Sequence, residues 1–131
     1  MNMKRDLVQL ARMTDAAFQA AQSELAAAKA REVELRATLK SLERSRSDRA
    51  EAILDQADTA LVAGADGQWL AWVEQRRRLI NSELARCLVK QDHCKQTARR
   101  AFGRDQAVLA LERARAAMAK RKAVRKDDYT S

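Results

Sequence analysis

Read for its apolar spacing, the chain carries one ladder in each half. In the first half Ala11, Phe18, Leu25, Glu32, Leu39, Arg46, Ile53 and Ala60 recur every seven residues, and Leu7, Thr14, Ala21, Ala28, Leu35, Leu42, Arg49 and Gln56 fill the companion position. Spacings that alternate between three and four over so many turns predict a helix whose stripe faces another helix in a left-handed coiled-coil seam. Alanine at many rungs implies close backbone approach. The polar rungs Glu32, Arg46, Arg49 and Gln56 lower stability while fixing register. In the second half the ladder reads Leu70, Val73, Ile80, Leu84, Cys87, Cys94, Ala98, Ala101 and Val108. It then thins, with Asp105, Glu112 and Arg115 on rungs that Leu109, Leu111 and Met118 replace only by drift.

Between the ladders stands Gly64-Ala65-Asp66-Gly67, followed at once by Trp69-Leu70-Ala71-Trp72; two of the three glycines fall here, and the chain has no proline. Gly64 suits the left-handed position that ends a helix, and Asp66 suits the cap that starts one. The expected fold is therefore all-α, a long two-helix antiparallel coiled-coil hairpin forming a single domain over 1–131. Helix 1 is placed at about 4–63, the turn at 64–67 and helix 2 at about 68–124, with a flexible basic C-terminal tail. Folding about residues 65 and 66 pairs position i with 131 minus i, which sets Arg49 across from Glu83 and Leu39 near Cys94. Each arm would run roughly 80–90 Å at 1.5 Å per residue, with both termini at one tip. Ser45 and Asp48 have the Ser-x-x-acid spacing that can open a helix, but serine costs only about half a kcal/mol inside one, so helix 1 is expected to continue. Gly103, about 1 kcal/mol worse than alanine, is a second place where the helix can bend.

Composition agrees with a long helical pair: 47% hydrophobic, mostly alanine and leucine, with 4% aromatic and 34% charged. No stretch approaches the roughly 18 uncharged apolar residues of a membrane span, and Met1–Leu7 has no apolar leader core, so a cytoplasmic, soluble protein is expected. The net charge of +8 is unevenly placed. Residues 1–63 carry 10 basic and 10 acidic side chains, and residues 64–131 carry 16 and 8. Arg113, Arg115, Lys120, Arg121, Lys122, Arg125 and Lys126 form a run uninterrupted by an acid. It fits an acidic protein surface, a nucleic acid or an anionic membrane, or else a solvated helix end.

Chemistry is harder to place. Cys87 and Cys94 lie about 10 Å apart along one helix, beyond disulfide reach, and read as small buried thiols, with an intermolecular disulfide as the other use. His93 is the single histidine. It points about 100° away from Cys94 and lacks the further ligands of a zinc site. A nucleophile would need a base oriented by a third group, and neither glycine-rich phosphate cradle is present. The expectation is no enzyme, no metal and no cofactor.

Trp69-x-x-Trp72 with Leu79, placed after a glycine-containing stretch between two long helices, resembles the flagellar and type III secretion stalk proteins of the FliJ/YscO family. Along nearly the whole chain the likeness is one of architecture: small, basic, antiparallel hairpins whose second helix opens with a Trp and another aromatic three residues on. The resemblance implies a non-enzymatic part of a protein export apparatus. It would act as the central stalk of a hexameric export ATPase and contact the cytoplasmic domain of the export gate through Trp69, Trp72 and Leu79. Gln75 departs from the family pattern, which has an aromatic or apolar residue on that face.

From the residues themselves, Met1–Arg12 and Arg113–Lys126 together would make a positively charged end able to enter a carboxylate-lined ring, the expected ATPase contact. The tryptophans have two open roles, docking or clipping the arms together. A basic coiled coil that binds nucleic acid is the rival, although no aromatic, Asn or Gln interleaves the basic run. A general scaffold or export chaperone partner also fits. Leu88, Val89, Phe102 and Leu109 offer a second face for a homodimer.

Overall fold

The computed structural model describes residues 2–54 and 59–130, and the side chains of residues 2–53 and 64–130. Two helices make up the fold, α1 (Met3–Leu54) and α2 (Thr59–Thr130), with no strand among the described residues. The all-α antiparallel pairing is as expected. None of the helices is long and apolar enough to cross a membrane among the described residues.

The start of α1 follows from Asn2. Its side-chain Oδ1 accepts the Arg5 backbone N–H at 3.4 Å, which meets one free donor of the first turn, and its carbonyl accepts the Asp6 N–H at 3.1 Å as the first helical bond. Asp6 sits in that turn, where a negative charge complements the helix dipole. With neither glycine nor proline from Met3 to Leu54, nothing interrupts the helix, and it passes straight through Ser45–Asp48.

The turn expected at Gly64–Gly67 is not there. Those four residues are helical, inside α2, and no glycine has a positive φ. Residues 59–63, expected in helix 1, belong to α2 as well, so the second helix includes Thr59 rather than beginning near 68. The physical reason lies in the seam: Asp66, taken in isolation as a cap, is a rung seven residues before Val73 and fourteen before Ile80, and it is buried with them. Both glycines cost helix propensity, about 1 kcal/mol each, and tertiary contact at Asp66 outweighs it. At the other end, the expected flexible tail is helix to Thr130, whose Oγ1 donates to the carbonyls of Lys126 at 3.0 Å and Asp127 at 3.1 Å. The seam assignments of Gln56 and Ala60 lie outside the described side chains.

The chain divides into two compact units, one of Met1–Leu25 with His93–Ser131 and one of Ala26–Asp92. In each, a segment of α1 packs antiparallel on a segment of α2. The register differs from expectation: residue 14 bonds 105, 18 stacks near 102, and 28 accepts from 91, positions totalling 119 or 120 rather than 131. The shift of eleven or twelve residues is about three helical turns. It goes with the placement of 59–67 inside α2, and it displaces the pairings derived from a bend at 65 and 66.

The unit of Ala26–Asp92 holds the main apolar cluster, in which Leu35, Ile80, Leu84 and Cys87 are buried and Leu39 and Leu42 pack against them. Leu39 thus meets this cluster rather than Cys94. The Cys87 thiol donates to the Ala28 carbonyl at 3.2 Å. Gln91 Nε2 donates to Glu32 Oε1 at 2.7 Å, so the expected polar rung at Glu32 does find a cross-helix partner. In the other unit Ala21, Cys94, Ala101 and Val108 are buried, and Thr14 Oγ1 donates to buried Asp105 at 2.9 Å. Phe18 and Phe102 meet at 5.4 Å between ring centroids, inclined at 48°. Both cysteines are free and buried, as small seam thiols should be.

Candidate functional site

Two stretches of α2 carry the residues singled out in the sequence. In the unit of Ala26–Asp92, the expected Arg49–Glu83 pair is replaced by two others. Arg49 Nε donates to Asp66 Oδ1 at 2.6 Å, and Glu83 is held by Arg31 Nη2 at 2.9 Å. Long side chains reaching across a seam shifted by three turns find different carboxylates. Arg31 also bonds Glu34 at 3.1 Å; that hydrogen bond, with the charges of Glu34 and Glu83, raises the Arg31 pKa above its ordinary value. Glu74 lies 3.6 Å from both Arg46 and Arg77.

The Arg49 guanidinium also lies over the Trp69 ring, 4.9 Å from its centroid. Asp66, Arg49 and Trp69 thus form a three-residue clasp. Asp66 is 9% exposed, and its charge is met by a guanidinium that an aromatic face covers in turn. Such a half-buried pair with an added ring contact is worth about 1–2 kcal/mol, between the values for exposed and fully buried pairs.

The clasp divides the two tryptophans. Trp69 is half-buried beneath the Arg49 guanidinium, so its ring touches both helices of the clasp. Trp72, three residues on, is 56% exposed, and Leu79 is 53% exposed. Seven residues apart on a helix, the latter two lie within about 20° of each other around the axis and share one outward face. Gln75 is exposed as well. Of the three apolar positions assigned to a partner, the fold therefore groups Trp72 with Leu79 and sets Trp69 apart.

The basic run lies in the unit of Met1–Leu25 with His93–Ser131. Arg113 is exposed and its Nε donates to the Leu109 carbonyl at 3.4 Å, while Arg115 is half-buried. Every residue from Ala116 to Thr130 is exposed, including Lys120, Arg121, Lys122, Arg125 and Lys126. The start of α1 does come to this run: Lys4 and Val8 share one depression with Leu109, Glu112, Arg113 and Arg115. Asn2, Met3, Lys4 and Leu7 share a second with Leu111, Arg115, Met118 and Lys122. The expected meeting of the two basic segments thus reaches Lys122.

Sequence reasoning took Asp66 for a cap rather than a rung, and it did not bring Met3 and Met118 into one groove. Heptad spacing from Val73 back to Asp66 carried the first signal. The second needed the true register. Of the reactive residues, His93 is exposed, and no group of three or more His, Cys, Asp or Glu is placed to hold a metal among the described residues. No protein-family model, curated protein or solved structure matches this chain.

Proposed function

We propose that this protein is a non-enzymatic component of a flagellar or type III protein export apparatus, the central stalk of a hexameric export ATPase that also touches the cytoplasmic domain of the export gate. It would work in the cytoplasm, at the periphery of the membrane-embedded apparatus. The observation that carries this reading is the outward pair Trp72 and Leu79, a large aromatic and an aliphatic side chain left on one helical face. Exposed Trp is costly to solvate and is the residue type most often found at the centre of binding surfaces. The family resemblance assigns that place to the gate contact. The exposed basic helix from Lys120 to Lys126 supports the second half of the reading, since a ring of carboxylates attracts such a charge at long range.

Two variants test the halves separately with purified ATPase and gate domain. Trp72→Ala with Leu79→Ala should weaken gate binding more than tenfold at unchanged helical melting. Reversal of Arg121, Lys122 and Arg125 to Glu should abolish ATPase binding in a chain that still folds. Unchanged binding in either experiment removes that half. If the reversal instead abolishes retention of random duplex DNA at low salt while ATPase binding persists, the basic helix is a phosphate-binding element. Export chaperones, tested in the same capture, would mark the protein as an adaptor.

A further inference from the structure

The groove where α1 begins against α2 has an apolar floor and a cationic rim. Met3, Leu7, Leu111 and Met118 form the floor, and Lys4, Arg115 and Lys122 the rim, around a volume of about 1070 Å³. The exposure is large for side chains of this kind: Met3 67%, Leu111 55% and Met118 59%. None of Lys4, Arg115 and Lys122 takes part in an ion pair among the described residues. We propose that this groove seats an amphipathic helix of a partner protein, apolar on one face and flanked by carboxylates, as the third member of a helical bundle.

Three features choose this occupant. Leu111 and Met118 are two turns apart, about 10 Å along the axis, and with Met3 and Leu7 they flank a channel between two antiparallel helices, the form that takes apolar anchors spaced i, i+3, i+4 and i+7. Methionine is unbranched and adapts to the side chain it meets. The rim is of one sign, so the flanks of the incoming helix must carry the other.

A second copy of this chain fits less well, because a two-fold contact would set Lys4, Arg115 and Lys122 against their own duplicates. An anionic lipid surface fits less well also. On the exposed helix, Lys120, Arg121, Lys122, Arg125 and Lys126 spread over about 240° of the axis at 100° per residue, and the remaining arc of about 120° carries Ala116, Ala119, Ala123 and Asp127. That face has no large apolar side chain to enter the acyl boundary. The proposal names the chemistry of what the basic end takes. It rests on the reading of that end as a binding surface, but not on the identity of the ATPase.

The test uses the full chain with methyl-labelled methionine and a synthetic 18-residue helix carrying leucines at i, i+3, i+4 and i+7 and glutamates elsewhere. Met13, exposed but lining a different depression, is the internal reference. The Met3 and Met118 methyl resonances should shift saturably with the acidic peptide while that of Met13 stays. The same peptide with lysines for glutamates should bind at least tenfold more weakly, and Lys4→Glu with Arg115→Glu and Lys122→Glu should invert the preference. Equal binding of both peptides overturns the proposal, as does a response only to phosphatidylglycerol vesicles. A methionine shift that follows protein concentration without peptide overturns it in favour of self-association. If the ATPase is captured yet neither peptide binds, the groove proposal fails and the stalk reading stands; peptide binding without ATPase capture reverses that result.

Discussion

The two units of this protein use one seam pattern with different materials. In the unit of Ala26–Asp92, Leu35, Ile80, Leu84 and Cys87 are buried together, and three ion pairs cross between the helices, at Arg31–Glu83, Arg46–Glu74 and Arg49–Asp66. In the unit of Met1–Leu25 with His93–Ser131, most buried rungs are small or polar, namely Ala21, Cys94, Ala101 and Asp105 hydrogen-bonded to Thr14, with Val108 the large aliphatic among them and Phe18 against Phe102 at the edge. Large branched side chains bury more area per rung, and apolar area is what the seam chiefly gains on folding. The unit of Ala26–Asp92 gathers large branched side chains into one cluster while leaving Trp72 and Leu79 outside it, and the other unit leaves Met3, Leu111 and Met118 at the surface.

The sharpest test of that contrast is paired truncation. Ile80→Ala should cost about 2–3 kcal/mol, at the low end for such a change because a two-helix seam is shallow. Val108→Ala should cost about 1–1.5 kcal/mol for the two methyls removed from water. Equal losses in denaturant unfolding would erase the distinction.

Next in size, and opposite in sign, is the glycine stretch. Gly64 and Gly67 lie in helix without positive φ, and a Cβ at either would meet nothing within 4 Å. Replacing both by Ala should therefore stabilise the chain by about 1–2 kcal/mol in total. A loss would restore the turn that the sequence suggests.

The smallest effects separate the tryptophans. Trp69→Ala removes the ring beneath Arg49 and should cost about 1 kcal/mol, whereas Trp72→Ala should stay within about 0.5 kcal/mol in thermal melting. Comparable losses would mean that both rings clip the helices.

What was legible in the sequence was the set of rungs. Every expected rung of α1 from Leu7 to Leu42 is buried or half-buried, and so are Val73, Ile80, Leu84, Cys87, Cys94, Ala98, Ala101 and Val108. Seven-residue spacing is a property of one helix, and the sequence displays it directly. Register is a property of two helices and depends on where the first one stops. Gly64-Ala65-Asp66-Gly67 has the local chemistry of a turn, and only the heptad count from Val73 reveals Asp66 as a rung whose charge another helix must answer. Arg49 supplies that answer from seventeen residues earlier, so a local reading cannot find it. Once the turn is put at 64–67, Arg49–Glu83 and Leu39–Cys94 are misplaced with it. That Trp72 and Leu79 share one face was legible from their seven-residue spacing. The half-burial of Trp69 was not, because it needs the position of Arg49.

Among the described residues, no side chain is fully enclosed. Melting such a molecule wets few groups that were dry beforehand. Its heat-capacity increment per residue should fall below the roughly 12–15 cal/mol/K of globular domains. The resulting stability curve is flat, and calorimetry should find the protein as sturdy in the cold as at moderate warmth.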